Sequence, residues 1–327
     1  MLGAILSILS AAAFALNTAT ARRAVVTGTP RQGTAVTVPI GVALFLPAAI
    51  VTGEIGRLHS FPPSAVGWMA GVGLLHFLVG RYCNYRANQA AGANITAPVI
   101  QLQIVVTLVL AVAVLGEPCS LLQGIGGGVM VTGALATQFQ RPGARKARGR
   151  LPEAPVFVAR HLSGYLFASL AAIAYGTTPI MTRFALERAG PTAGILGGLI
   201  AYGAATAVVA IALLWPPLWR EVKATERENV RWFAYSGVFV AFAQGFFYSA
   251  VAVAPIMLVS PLLQFSLVFR LLFAKWLNPY HEVFGALVVV GVAASIVGAI
   301  AVSVDTDVIL NALAVPEALA RVLRWRI

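Results

Sequence analysis

Charged residues are scarce in this sequence. Only 10% of its 327 residues are Asp, Glu, Lys or Arg, whereas 59% are hydrophobic and the mean hydropathy is +0.85. A soluble globular domain has about 25% charged residues, so this composition excludes a chain that covers itself with a water-facing surface. Apolar runs of about twenty residues recur, and each is long enough to cross about 30 Å of hydrocarbon as a helix. The sequence therefore predicts an all-α integral membrane protein that crosses the bilayer many times.

Cysteine and catalytic motifs are also scarce. The two cysteines, Cys83 and Cys119, are too few for a disulfide framework and do not have the spacing of a metal site. Strings of the GxSxG, HExxH, CxxC and P-loop types are absent. No cofactor or metal is therefore predicted, and an integral-membrane enzyme is the least favoured class. The net charge of +12 indicates loops that face an anionic membrane leaflet rather than a nucleic-acid partner.

The apolar runs predict ten membrane spans, at residues 3–21, 35–53, 65–85, 95–115, 119–138, 163–182, 193–215, 232–253, 256–277 and 283–304. The longest break between spans is basic and rich in Gly and Pro, which is typical of a linker. The predicted organisation is a first five-helix repeat (1–140), a basic linker (141–162), a second five-helix repeat (163–304) and a tail with a short amphipathic helix (305–327).

The two halves match each other in four blocks that occur in the same order. "LGAILSILSAAAFALNTATARRAV" aligns with "SGYLFASLAAIAYGTTPIMTRFAL", which pairs Arg22 with Arg183. "APVIQLQIVVTL" aligns with "VSPLLQFSLVFRL", which pairs Gln101 with Gln264. Because each copy has five spans, the second copy enters the membrane upside down relative to the first. Inverted repeats with a site near the bilayer midplane are typical of secondary transporters.

These repeats, together with "LGEP" at the end of the fourth span and the glycine-rich fifth span "LLQGIGGGVMVTGALA", resemble the EamA-type transporters of the drug/metabolite transporter superfamily. The resemblance covers about residues 3–304. It implies translocation of a substrate by alternating access, without a bound cofactor, and we expect an exporter or exchanger. The sequence departs from the family pattern in two places: "LNPYHE" stands where Glu117 would recur, and Ile104 occupies the position of a proline in the fourth span.

The stretch "RYCNYRANQ" interrupts the apolar third span with polar residues. Four of its side chains follow i, i+3, i+4, i+7 spacing and share one helix face: Arg81, Asn84, Tyr85 and Asn88. An arginine near the bilayer centre is costly unless it meets water, a partner or a ligand. We therefore predict that the first three line a cavity. The alternative is a span that ends near residue 83 and leaves the others snorkelling at the interface.

Polar residues in the later spans extend this predicted cavity. Arg270 lies well inside the ninth span, and no acidic residue lies in the same helix. Gln101 and its repeat mate Gln264 suggest that both copies face one cavity, as do Gln244 and Tyr248 on the eighth span. Two alternatives are open: a salt bridge between Arg270 and a carboxylate elsewhere, and hydrogen bonds from the glutamines that only hold helices together.

The predicted substrate-binding residues are Arg81, Asn84, Tyr85, Gln101, Gln244, Tyr248, Gln264 and Arg270. Guanidinium groups pair with carboxylate or phosphate, and no span has an acid near its middle. The sequence thus predicts a transporter for a small anionic or zwitterionic metabolite or amino acid. A flippase for a lipid-linked anionic headgroup is the alternative. The predicted setting is a bacterial-type inner (plasma) membrane, with lipid and substrate as partners and the chain as a monomer or homodimer.

The orientation of the ten spans is predicted differently by two criteria. Seventeen of the 23 basic residues fall on the side of the membrane opposite the two termini, and six fall on the side of the termini. The positive-inside rule places the seventeen in the cytoplasm, with both termini outside. The family resemblance implies that both termini are inside. We follow the charge bias.

Overall fold

Helices and the turns between them make up the part of the chain that the computed structural model describes. That part comprises residues 2–116, 118–136, 139, 159–186, 194–253, 262–282 and 285–325, without the side chains of residues 248 and 251–253. The predicted linker lies outside it except for residues 159–162. There, the backbone N–H of Arg160 donates to the carbonyl of Ala90 at 2.8 Å, which joins the second half of the chain to the first.

The described residues of the first half form seven α-helices. They are α1 (Leu2–Val25), α2 (Pro30–Val51), α3 (Pro63–Val72), α4 (Arg81–Ala91), α5 (Ala93–Gln101), α6 (Gln103–Leu115) and α7 (Leu121–Ala136). A 3₁₀ turn, Glu54–Ser60, follows α2. A π-helical segment, Gly73–Gly80, joins α3 to α4, so that one continuous helix runs from Pro63 to Ala91.

The described residues of the second half form eight more helices. They are α8 (His161–Leu186), α9 (Gly194–Ala212), α10 (Pro216–Lys223), α11 (Arg227–Val253), α12 (Phe265–Leu277), α13 (Ala286–Ser303), α14 (Thr306–Ala312) and α15 (Glu317–Leu323). The last two belong to the tail. Arg324 holds them together, because it lies 2.5 Å from Asp307 and 2.8 Å from Glu317.

Six helices among the described residues are long and apolar enough to cross a membrane. They are Leu2–Val25, Pro30–Val51, Pro63–Ala91, Ala93–Leu115, Gly194–Ala212 and Ala286–Ser303. This confirms the prediction of an all-helical, multi-pass membrane protein. Each of the ten predicted windows contains a helix in the described residues. That all ten cross the bilayer stays a prediction.

The fourth predicted span is interrupted one turn after Pro98. Helix α5 ends at Gln101, and the N–H of Leu102 bonds to the carbonyl of Val99 at 3.1 Å instead of the carbonyl four residues back. The break therefore occurs without a proline at Ile104, and it follows Pro98 rather than lying in the preceding turn, which is the turn that a proline disturbs. A similar break precedes α12, since Gln264 stands in a turn at its start.

Small residues let helices from the two halves pack closely. A Cβ atom added to Gly126 of α7 would lie 2.7 Å from Cβ of Ala301 and 2.9 Å from the carbonyl of Gly298, both in α13. A Cβ atom added to Gly133 would lie 2.6 Å from Cβ of Ala294. These distances are too short for any side chain, so the glycines bring the two backbones together. Helix α1 likewise packs along α11.

Candidate substrate-binding site

Arg81 opens helix α4, directly after the π-helical segment, and only 5% of it is exposed. The helix continues to Ala91, about 15 Å further along at about 1.5 Å per residue, and Tyr85 and Asn88 on it are buried too. The helix therefore extends beyond residue 83, where the alternative places the end of the span. The guanidinium group of Arg81 therefore lies deep in the helical bundle, where an unpaired charge is costly.

Aromatic rings surround the Arg81 guanidinium group. Its Nη2 donates a hydrogen bond to the Tyr202 hydroxyl at 3.3 Å. Its central carbon lies 5.2 Å from the ring centre of Phe77 and 5.8 Å from that of Tyr202, and the two rings stack 3.7 Å apart. These are cation–π distances. The Nη1 atom of Arg81 is buried and has no hydrogen-bond partner among the described residues. Nη1 of the planar Arg81 guanidinium group is thus available to donate a hydrogen bond to another group.

Tyr175 of α8 lies beside this arginine. Its hydroxyl accepts a hydrogen bond from Asn84 Nδ2 at 3.4 Å, and its ring centre lies 4.5 Å from that of His76. Arg270 on α12 is half-buried, and its Nε has no hydrogen-bond partner among the described residues. Arg81 and Arg270 belong to different halves of the chain.

Two glycines make room for the two tyrosines. A Cβ atom at Gly41 of α2 would lie 2.1 Å from Cδ1 of Tyr202, and one at Gly80 would lie 2.5 Å from Cε1 of Tyr175. Real Cβ atoms do not approach ring carbons so closely, so an alanine at either position would displace the ring. The absence of side chains at Gly41 and Gly80 therefore fixes where the tyrosine hydroxyls meet Arg81 and Asn84.

A model of the EamA-like transporter family matches the chain at residues 1–138 and 162–304. The chain belongs to this family. A solved structure described as "Crystal structure of protein" is similar to it with 17% sequence identity and a TM-score of 0.58, over 95% of this chain and 98% of the other. At that identity the likeness concerns the fold alone. No curated protein matches the chain.

In this EamA-like transporter, the Tyr85 hydroxyl forms hydrogen bonds with side chains other than Arg81. Its hydroxyl donates to Thr37 Oγ1 at 3.2 Å and lies 3.4 Å from Ser236 Oγ, and its ring centre is 5.9 Å from that of Phe233. The structure therefore places Tyr85 in the contact between α2, α4 and α11. Its predicted place in the substrate cavity stays a prediction.

Gln101 and Gln264 contact each other directly. Nε2 of Gln101 donates a hydrogen bond to Oε1 of Gln264, and each residue is 5% exposed. The predicted repeat mates therefore meet where α5 ends and α12 begins. A direct hydrogen bond corresponds to the alternative in which these glutamines hold helices together.

The two predicted residues of α11 are less defined. Gln244 is half-buried, on a part of α11 that packs on α1, where Ser10 Oγ donates to the carbonyl of Ala243 at 2.8 Å. The side chain of Tyr248 lies outside the described residues. Neither is shown next to Arg81.

Sequence reasoning did not identify the two tyrosines that contact the site. Tyr202 stands in "GGLIAYGAATAVV" as a lone hydroxyl-bearing ring in an apolar run, and Tyr175 aligns with Phe14 in the repeat. A buried tyrosine hydroxyl needs a hydrogen-bond partner. A tyrosine in an apolar run is therefore the feature of the sequence that indicates a polar contact inside the bundle. Among the described residues, no group of three His, Cys, Asp or Glu side chains could hold a metal ion.

A second polar cluster, also not predicted as a unit, surrounds Arg22 at the end of α1. Its Nη1 donates to the carbonyl of Asn88 at 2.6 Å, and its Nη2 donates to the carbonyl of His281. Burial lowers the pKa of His281, and the neighbouring Arg22 and Arg23 lower it further. His281 is therefore neutral at pH 7 and adds no further positive charge to the cluster.

Proposed function

We propose that this EamA-like transporter is a secondary transporter that moves a small anionic or zwitterionic organic solute by alternating access. The observation that carries the proposal is the free Nη1 of Arg81, deep in the bundle and enclosed by aromatic rings. A guanidinium group binds carboxylate or phosphate through fixed donors. A buried donor without a protein partner is costly, and a bound oxyanion would satisfy it.

The proposal includes ten crossings arranged as two inverted five-helix repeats. Helix packing supports this arrangement, because the first helix of each repeat packs against helices of the other repeat. Helix α1 packs on α11 and α12, and its repeat counterpart α8 packs on the counterparts of those helices, α3–α4 and α5–α6. The family model also matches two blocks of similar length. An arrangement of this kind places a substrate site where the two copies meet.

Contacts between the segments that join the helices also support ten membrane crossings. In a ten-crossing chain, the segments after the first and seventh spans share one side, and Thr29 Oγ1 lies 2.7 Å from Glu221 Oε1. The segments after the fourth and tenth spans share the other side, and Ser120 Oγ lies 2.6 Å from Thr306 Oγ1. In each pair, the two segments that a ten-crossing chain places on the same side of the membrane are in contact. We place the protein in a bacterial-type inner membrane, as a monomer or homodimer.

Exchange assays in liposomes test the proposal. Purified protein is reconstituted with an unlabelled solute panel inside, and uptake of each labelled solute is followed. We expect exchange of a water-soluble anion or zwitterion and its loss in Arg81→Gln. Arg57→Gln, a change at an exposed ion pair (Arg57 side chain 60% exposed), is the control and should exchange at the wild-type rate. Movement of a labelled anionic lipid headgroup across the bilayer, without solute exchange, would identify a flippase. Formation of a product without solute exchange would identify an enzyme.

A further inference from the structure

A buried ion pair joins the two repeats at one end of the bundle. Arg22 stands in the last turn of α1, and Glu282 stands between α12 and α13. Nε of Arg22 lies 3.2 Å from Oε1 of Glu282, and both side chains are buried. In the proposed ten-crossing arrangement, the segments after the first, third and ninth spans lie on the same side of the membrane as the linker. The pair therefore connects the repeats at the linker side.

Two hydrogen bonds near this pair also run from one repeat to the other. Nη2 of Arg22 donates to the carbonyl of His281, and Nδ2 of Asn278 donates to the carbonyl of Ala19 at 2.8 Å. Each bond joins a side chain of one repeat to the backbone of the other. The end of α1 and the segment after α12 are thus held together by polar contacts as well as by charge.

The turn between α4 and α5 closes tightly on Glu282. Gly92 in this turn has a φ of +83°, which favours glycine, and a Cβ atom there would lie 2.7 Å from Oε2 of Glu282. The backbone N–H groups of Ala93 and Asn94 donate to the two carboxylate oxygens at 2.7 Å and 2.9 Å. The turn and the carboxylate are therefore in direct contact, without room for a methyl group between them.

These contacts lie between Arg81 and the water on the linker side. In the proposed arrangement α4 runs toward that side, and Nη1 of Arg22 donates to the carbonyl of Asn88 on α4 at 2.6 Å. Asn88 follows Arg81 by about 10 Å along the helix, at about 1.5 Å per residue. Between them, Asn84 accepts a hydrogen bond from Nδ2 of Asn88 at 2.9 Å. A solute that leaves Arg81 toward the linker side therefore has to pass the level of the ion pair.

Building on the proposed function, we propose that the Arg22–Glu282 pair is a gate. Its contacts close the linker side of the site in this structure, and they separate when the site opens to that side. An ion pair suits this role because its attraction is largely offset by the cost of removing both charges from water. Once water enters, both ions are hydrated again, so opening costs much less than the loss of one partner from the closed state.

Labelling of one cysteine tests the gate without a known substrate. Asn84→Cys is made after Cys83 and Cys119 have been replaced by serine. Membrane vesicles with the linker side facing the medium are treated with an impermeant maleimide. We expect Arg22→Gln to raise the labelling rate about tenfold or more, because removing one partner of a buried pair costs more than the free-energy difference of a factor of ten. Arg57→Gln, which breaks an exposed ion pair, is the control and should not change the rate.

A reversible cross-link tests whether this end must open during exchange. Ala19→Cys with Asn278→Cys, in the same serine background, places two cysteines in contacting segments and keeps the ion pair. A short bifunctional methanethiosulfonate joins the two cysteines in liposomes, and a thiol reductant releases them. We expect the cross-link to abolish solute exchange and the reductant to restore it. Each single-cysteine variant is the control and should exchange equally before and after the same treatment.

The outcomes separate the gate from the proposed function. Unchanged labelling in Arg22→Gln, with folded protein by gel filtration, would overturn the gate and leave the transporter. Undiminished exchange by the cross-linked protein would also overturn the gate. Absence of exchange for every solute of the panel would overturn the proposed function, and together with unchanged labelling it would overturn both. If Arg22→Gln does not fold, the cross-link decides, because it removes neither charge.

Discussion

Nε of Arg22 lies 3.2 Å from Oε1 of Glu282, and the two side chains are 1% and 0% exposed. Glu282 also accepts the backbone N–H groups of Ala93 at 2.7 Å and Asn94 at 2.9 Å. It therefore caps the N-terminus of α5, where unpaired N–H groups need an acceptor. One carboxylate thus holds together the end of α1, the start of α5 and the turn before α13.

We expect Glu282→Gln to destabilise the protein strongly. The amide keeps one acceptor oxygen instead of two and leaves Arg22 buried without a counter-charge, which costs about 3–5 kcal/mol. The thermal unfolding midpoint in detergent measures the loss. Glu54→Gln is the matched control, because its partner Arg57 is 60% exposed and such a pair contributes about 1 kcal/mol or less. Equal midpoints for the two variants would show that the buried pair is not a major stabilising contact.

The sequence predicts the helical membrane fold well because hydropathy and length alone determine which segments can leave water. It also singles out Arg81 and Arg270, since a charge in an apolar run is conspicuous. It does not predict the role of Glu282, although "LNPYHE" departs from the family pattern. The role of Glu282 depends on the fold bringing Arg22 and the start of α5 to it, and no local pattern encodes that encounter.

Residues whose role depends on an exact neighbour are the hardest to assign from the sequence. Tyr85 shares a helix face with Arg81 as the spacing requires, yet its hydroxyl bonds to Thr37 and Ser236. Tyr202, which no pattern in the sequence singles out, bonds to Arg81 instead. Periodicity gives the face of a helix, but the neighbouring helix decides which side chain on that face meets a cavity and which meets a partner.

The Gln101–Gln264 pair can be assigned by a double-variant cycle. Gln101→Leu alone leaves the Gln264 amide buried without its partner, and we expect a loss of about 1–2 kcal/mol. Gln101→Leu with Gln264→Leu removes both polar groups and should recover part of that loss. Unfolding midpoints and exchange rates are measured together. Recovery of both identifies a contact that holds helices together, whereas recovered stability with lost exchange would place the pair in the substrate pathway.

The side of the membrane that holds the linker can be tested with one cysteine. A cysteine is placed within residues 141–160 after Cys83 and Cys119 have been replaced by serine. The charge bias predicts a cytoplasmic linker, so an impermeant maleimide should label it only after the membrane is opened. Labelling in intact cells would instead place both termini inside, as the family resemblance implies.

The contact between Gly41 and Tyr202 allows Arg81 to be disturbed without changing any polar residue. In Gly41→Ala the new Cβ would lie 2.1 Å from Cδ1 of Tyr202, so the ring must move away from the guanidinium group that its hydroxyl bonds. Gly203→Ala is the control, since it adds the same methyl group one residue from Tyr202, where, apart from its chain neighbours and the backbone of its own helix, no atom would lie within 4 Å of the new Cβ.

We expect Gly41→Ala to raise the KM for exchange about tenfold or more, as for the loss of about 1.4 kcal/mol of binding free energy, while Gly203→Ala keeps the wild-type KM. Tyr202→Phe should reproduce part of the increase, because it removes the hydroxyl and keeps the ring that faces Arg81. If Gly41→Ala lowers the unfolding midpoint but exchanges with the wild-type KM, Tyr202 only packs helices together and does not position Arg81 for a substrate.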